Sequence, residues 1–210
     1  MSTRRMITRL DSGIGPANHA KFITFQFGND DEGERFMLDE AVSFVLGYVS
    51  RVCDASAGFF SDTDVPFCHL GTDLKPTPIR KELSNIIDHM NIRLGEAYNA
   101  VLAVACNGED DFISFGSFDG ENVLILEFGG NRDMFLKTRS TAPYGALRFC
   151  NTGMRMCVED DNAYLLKGAG FQSSYTLSVP KRKRNKEMSV YIVFLTLSTD
   201  PNNPHKRQKK

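Results

Sequence analysis

From Tyr98 onward the chain is a succession of short runs rich in Val, Ile, Leu and Phe, each too short for a helix and each closed by a turn signal. The runs are 98–106, 112–118, 122–128, 133–138, 145–150, 163–167, 173–179 and 189–197. Between them stand Asn107-Gly108, Asp119-Gly120, Gly129-Gly130-Asn131, Asp160-Asp161-Asn162 and Gly168-Ala169-Gly170. Glycine and Asn or Asp at such junctions supply the tight reversals that return one strand beside the next. About eight short strands in series suggest a sheet that folds on itself as a barrel or jelly roll. Sixteen Phe and no Trp fit such a core.

Upstream the period changes. Leu38, Val42, Val45, Leu46 and Val49 recur at helical spacing behind Asp39, which predicts a one-faced helix over 39–52. A second helix is predicted from Thr77-Pro78, with Thr77 as cap, to Gly95, because Ile79, Leu83, Ile86, Ile87, Met90 and Leu94 share one face. Cys53 to Pro76 reads as loop with short strands. The predicted class is α+β, a strand-rich barrel or jelly roll backed by two N-terminal helices. Three segments follow: an arm over 1–35 with one short strand at 22–27, a folded domain over 36–198, and a disordered basic tail over 199–210.

The net charge of −1 conceals an asymmetry. Nine of the 25 basic residues lie in Lys181, Arg182, Lys183, Arg184 and Lys186 or in Lys206, Arg207, Lys209 and Lys210, which leaves 16 against 26 acidic residues elsewhere. The body is therefore acidic by ten charges. Clustered Lys and Arg are the residues that neutralise a phosphate backbone, so the 181–186 run is the candidate nucleic-acid contact. A nuclear import signal or a solvated turn are the other readings of the same run. The five cysteines contain no Cys-x-x-Cys pair and read as reduced thiols, several of them buried. Adjacent Cys68 and His69 point to opposite faces of a strand, and the plain expectation is a buried thiol beside an exposed imidazole. No apolar run is long enough to cross a bilayer, so the expected location is intracellular, cytoplasmic or nuclear, with no membrane contact.

Several blocks, in order, resemble the AlkB-like branch of the 2-oxoglutarate and Fe(II)-dependent dioxygenases over roughly residues 66 to 198. Tyr98-Asn99-Ala100-Val101-Leu102 is similar to that family's Phe-Asn-x-Val-Leu strand. Asn107 to Phe115 resembles the turn and strand before its iron motif, and Phe128-Gly129-Gly130-Asn131-Arg132-Asp133-Met134-Phe135 resembles its Phe-Gly-x-x-Arg-x-Phe segment. Gly168 to Gln172 and Tyr175 to Lys181 look like the strand of the distal histidine and the loop after it. The resemblance implies a double-stranded β-helix.

At the positions where that family holds its metal and cosubstrate, this chain departs from it. The His-x-Asp motif falls on Gly116-Ser117-Phe118 and the distal histidine on Leu177. The Asn-x-Tyr pair falls on Val104-Ala105-Cys106, and the two arginines of the closing strand fall on Ile192 and Ser198. Asp119 alone matches a carboxylate of the family's pocket. Counting histidines gives an independent check, because a ferrous facial triad needs two imidazoles and a carboxylate. The chain has His19, His69, His89 and His205, none of them between residues 90 and 204. A substitute site from Cys106, Asp119 or Glu121 would lack imidazoles.

Other chemistry finds little support. No Gly-x-Ser-x-Gly elbow is present, and Gly168-Ala169-Gly170 is not followed by the Lys-Ser/Thr of a phosphate loop. The resulting expectation is a catalytically inactive AlkB-like pseudoenzyme with no cofactor. It would bind a protein partner, with RNA or DNA at the basic loop as a further partner class. The alternative is a divergent AlkB-type demethylase or hydroxylase with a non-standard metal site.

Overall fold

The computed structural model describes residues 6–9, 21–26, 32–51, 57–69, 72–106, 113–115, 122–129, 133–141, 147–149, 154–157, 162–167, 175–179 and 188–197. In chain order these form β1 (Met6–Arg9), β2 (Lys21–Gln26), α1 (Glu32–Arg51), β3 (Ala57–Ser61), β4 (Phe67–His69), β5 (Thr72–Leu74), β6 (Pro76–Thr77) and α2 (Lys81–Leu94). There follow β7 (Ala100–Cys106), β8 (Ile113–Phe115), β9 (Asn122–Gly129), β10 (Asp133–Thr141), β11 (Leu147–Phe149), β12 (Met154–Cys157), β13 (Asn162–Lys167), β14 (Tyr175–Val179) and β15 (Ser189–Leu195). The architecture is α+β, two helices with a strand-rich remainder.

The strands form three sheets. A large one has the order β1-β2-β13-β9-β15-β7-β3-β6, and a smaller one runs β11-β10-β14-β8 with β12 also paired to β10. The third is the hairpin β4-β5. Neighbours are antiparallel throughout, apart from β3 and β6.

Both faces of the central strands of the large sheet are buried, so these strands read as continuous apolar runs with a hidden period of two. On β7 the side chains of Ala100, Leu102, Val104 and Cys106 enter one core while Val101, Ala103 and Ala105 enter another. On β15 Tyr191, Val193 and Leu195 alternate with Val190, Ile192 and Phe194 in the same way. The first set forms an inner core with Leu177 and Val179 of β14, which places the smaller sheet against this face. The second set forms an outer core with Leu38, Ala41 and Val45 of α1 and Leu83, Ile86, Ile87 and Met90 of α2. The helices thus cover one face of the large sheet and the small sheet covers part of the other.

Helix α1 begins at Glu32, seven residues before the predicted start. Glu32 and Glu34 lie in its first turn, where carboxylates offset the positive end of the helix dipole, and the buried stripe continues back through Leu38 to Glu34. The expected boundary at residue 35 falls inside α1, and β1 and β2 extend the large sheet by pairing with each other and, for β2, with β13. Helix α2 begins at Lys81 rather than at Thr77. Thr77 pairs with Phe60 as part of β6, and its hydroxyl lies 3.0 Å from the Tyr48 hydroxyl. Gly95 ends α2 as expected, in the left-handed conformation with φ 67°, donating its N–H to Asn91 O.

Two asparagines fix the segment before β7, one to α2 and the other to the residues after β15. Asn91 Nδ2 donates to Tyr98 O at 3.0 Å while Tyr98 N–H donates to Asn91 Oδ1 at 2.7 Å. Asn99 repeats the device: its Nδ2 donates to Leu197 O at 3.0 Å and its Oδ1 accepts from Leu197 N–H at 2.7 Å. Each side-chain amide imitates a peptide group and extends a ladder where the strand has ended. Gly129 is required for another reason: its φ is +92° and a Cβ there would lie 2.3 Å from Met188 O.

Candidate functional site

The inner core is the candidate site, and its lining follows from strand register. The level at Leu102 joins Val193, Ile125 and Tyr164 across β7, β15, β9 and β13. The next level joins Val104, Tyr191 and Glu127, and the last joins Cys106, Ser189 and Gly129. Polar atoms therefore gather toward one end. Tyr191 OH donates to Glu127 Oε1 at 2.8 Å. Glu127 is 1% exposed, and Cys106, Ser189 and Tyr191 are fully buried. A carboxylate so deeply buried is costly unless donors satisfy it, and the phenol is one such donor.

Sequence reasoning missed this pair. Its trace was a lone Glu ending the apolar run Val123-Leu124-Ile125-Leu126, at the parity of Val123 and Ile125. Hydrophobicity alone could not say that the facing strand would offer a tyrosine.

Of the residues expected at the vacated metal and cosubstrate positions, Val104, Cys106 and Leu177 come together in the inner core. Leu177 is opposite Phe115 on one side and Leu136 on the other. Ile192 is placed differently. It belongs to the outer core beneath the helices, because the two-residue period of β15 turns 190, 192 and 194 toward α1 and α2 and leaves Tyr191 facing inward. Gly116, Phe118, Asp119, Ser198, Lys181, Arg182, Lys183, Arg184 and Lys186 lie outside the described residues, as do Glu121 and the tail over 199–210.

Cys68 and His69 do point to opposite faces, with the expected sides exchanged: Cys68 is exposed and His69 is buried. On β4 the side chains of Phe67 and His69 share the inward face, and Phe67 stacks on Phe59 with centroids 5.0 Å apart. Burial lowers the His69 pKa from 6.5, since the charged imidazolium loses its hydration there. The other described histidine, His89, lies on α2. Its Nε2 is 3.1 Å from Oε1 of the buried Glu34, which also receives Arg93 and so ties α2 to α1. Neither imidazole stands on a strand of the large or the small sheet.

Among the described residues no three His, Cys, Asp or Glu side chains converge as a metal site would require. Cys106 and Glu127 stand on β7 and β9, with β15 between them. No helix among the described residues is long and apolar enough to cross a membrane. No protein-family model matches the chain and no curated protein matches it, so a functional reading rests on its own residues.

Proposed function

We propose that the chain is a catalytically silent, AlkB-like double-stranded β-helix used as a binding or scaffold subunit. Support for the winding comes from how the chain alternates between sheets. From β7 to β10 it visits large, small, large, small; β12 stays in the small sheet; β13, β14 and β15 then visit large, small, large. With β11 set aside, the orders β7-β15-β9-β13 in one sheet and β8-β14-β10-β12 in the other support an eight-stranded jelly roll.

The observation that carries the silent reading is the content of the inner core. Leu177, Val104 and Val193 fill it where a metal site would need imidazoles, and the acidic side chain beside them, Glu127, is engaged by the Tyr191 hydroxyl. Each large apolar side chain that fills the interior contributes about 1.5 to 3 kcal/mol of stability, which suits a scaffold. The partner is a protein held on the exterior, with RNA or DNA contacting Lys181, Arg182, Lys183, Arg184 and Lys186 through phosphates.

Calorimetry with Mn(II) as a stable surrogate for iron, and with 2-oxoglutarate, tests the reading. The expected result is no measurable heat for either alone or for both together. Micromolar binding of the two, each dependent on the other, would overturn it.

A further inference from the structure

The hairpin β4-β5 is an excursion between β3 and β6, both of which belong to the large sheet, and it forms a two-stranded sheet of its own. Phe67 and Leu74, directly opposite each other in the hairpin, pack against the inner core, and His69 shares the inward face of β4 with Phe67. The remaining side chains, Cys68, Thr72 and Asp73, are exposed. So short a seat is a small apolar contact with one titratable group built into it.

We propose that this hairpin is a proton-released cover: taking up a proton at His69 unseats Phe67 and Leu74 and uncovers Phe59 at the flank of the inner core.

The argument rests on what surrounds the imidazole. On the hairpin and its flanks the charged groups are Asp62, Asp64, Asp73 and Lys75. Asp62 Oδ1 accepts the Ile79 N–H, and Asp64, Asp73 and Lys75 are exposed to water. The strand beneath, β3, carries no titratable residue. Within the inner core the titratable groups are Cys106, Tyr164, Tyr191 and Glu127, and the strand of Glu127 is separated from β3 by β15 and β7. Burial is accordingly the cause of the lowered His69 pKa, with no charged neighbour among the described residues contributing. A proton on the seated ring would lose its hydration without a counter-charge among the described residues, and lifting the hairpin returns it to water.

The sign follows. A histidine whose pKa is depressed in the seated state favours that state above 6.5 and loses this preference as pH falls below 6.5. At pH 5.5 an imidazole that is neutral when seated and free when lifted favours lifting by at most about tenfold over neutral pH. This inference does not depend on whether the chain is catalytic.

Hydrogen–deuterium exchange of the intact chain at pH 7.5 and 5.5, corrected for the intrinsic rate, is the test. Residues 67–74 are expected to gain several-fold in exchange at pH 5.5 while α2 does not, and His69→Gln is expected to abolish the gain. Equal behaviour of parent and variant, or no gain in the parent, refutes the proposal. If the variant does not fold, NMR titration of His69 in the parent decides. A midpoint below 6.5 shared by the Phe67 ring signals supports the switch, and a midpoint at or above 6.5 overturns it.

Discussion

Tyr98→Phe removes a single oxygen from the outer core and is expected to stabilise the protein. Tyr98 is 3% exposed, its ring lies 5.9 Å from that of Phe194, and its hydroxyl has no hydrogen-bond partner among the described residues. A buried hydroxyl that exchanges water for nothing costs about 1 to 3 kcal/mol, whereas the ring itself packs equally well as Phe. The expected gain is about 1 to 2 kcal/mol, which for a chain of this length raises Tm by roughly 2 to 8 °C. Alkaline pH supplies a second readout. Burial first, and the Glu96 carboxylate second, raise the Tyr98 pKa above its ordinary value of 10.0. Above pH 10 the unfolded chain therefore releases this proton while the folded chain keeps it, so the parent loses stability as pH climbs and the variant loses less. Urea unfolding at pH 7.5 and 10.5 measures both effects. A variant less stable than the parent by 1 kcal/mol would falsify the reasoning, since the hydroxyl would then be satisfied.

Asn99→Ala removes both bonds to Leu197 and frees the end of β15; a loss of about 1 to 3 kcal/mol is expected in the same unfolding assay, and Asn99→Asp should recover only part, because a carboxylate cannot donate to Leu197 O. For the basic segment, replacing Lys181, Arg182, Lys183, Arg184 and Lys186 by Gln should weaken RNA or DNA binding about equally for all sequences and flatten its salt dependence, as phosphate contacts carry no base information. Fluorescence anisotropy at two salt concentrations, with and without residues 205–210, checks this. Affinity that survives both changes places the contact elsewhere.

The relation between sequence and structure differs by element. Strands from residue 98 onward were legible because turn signals at Asn107-Gly108 and Gly129-Gly130 punctuate them and because both faces of the central strands are apolar. Met154–Cys157 was missed: four residues of mixed Met, Arg and Cys carry no period, and pairing with β10 makes them a strand. Thr77 and Asp39 matched the local chemistry of a helix cap, yet one was recruited to a strand and the other lies within α1, since sheet pairing and burial outweigh about 1 kcal/mol of capping.

For the site, the sequence by itself determined the inventory: four histidines off the core strands, a leucine at 177, and nine positive charges in two runs on an acidic body. Which side of a strand faces which core was decided only in three dimensions. Alternation relates 191 to 193 and 192 to 194, but it is symmetric under exchange of the two faces when both are apolar. Packing of α1 and α2 on one face broke that symmetry, sending Ile192 to the helices and Tyr191 to Glu127. The same reason governs Cys68 and His69: their opposition was local geometry, and the seating of Phe67 on Phe59 chose which of them is buried.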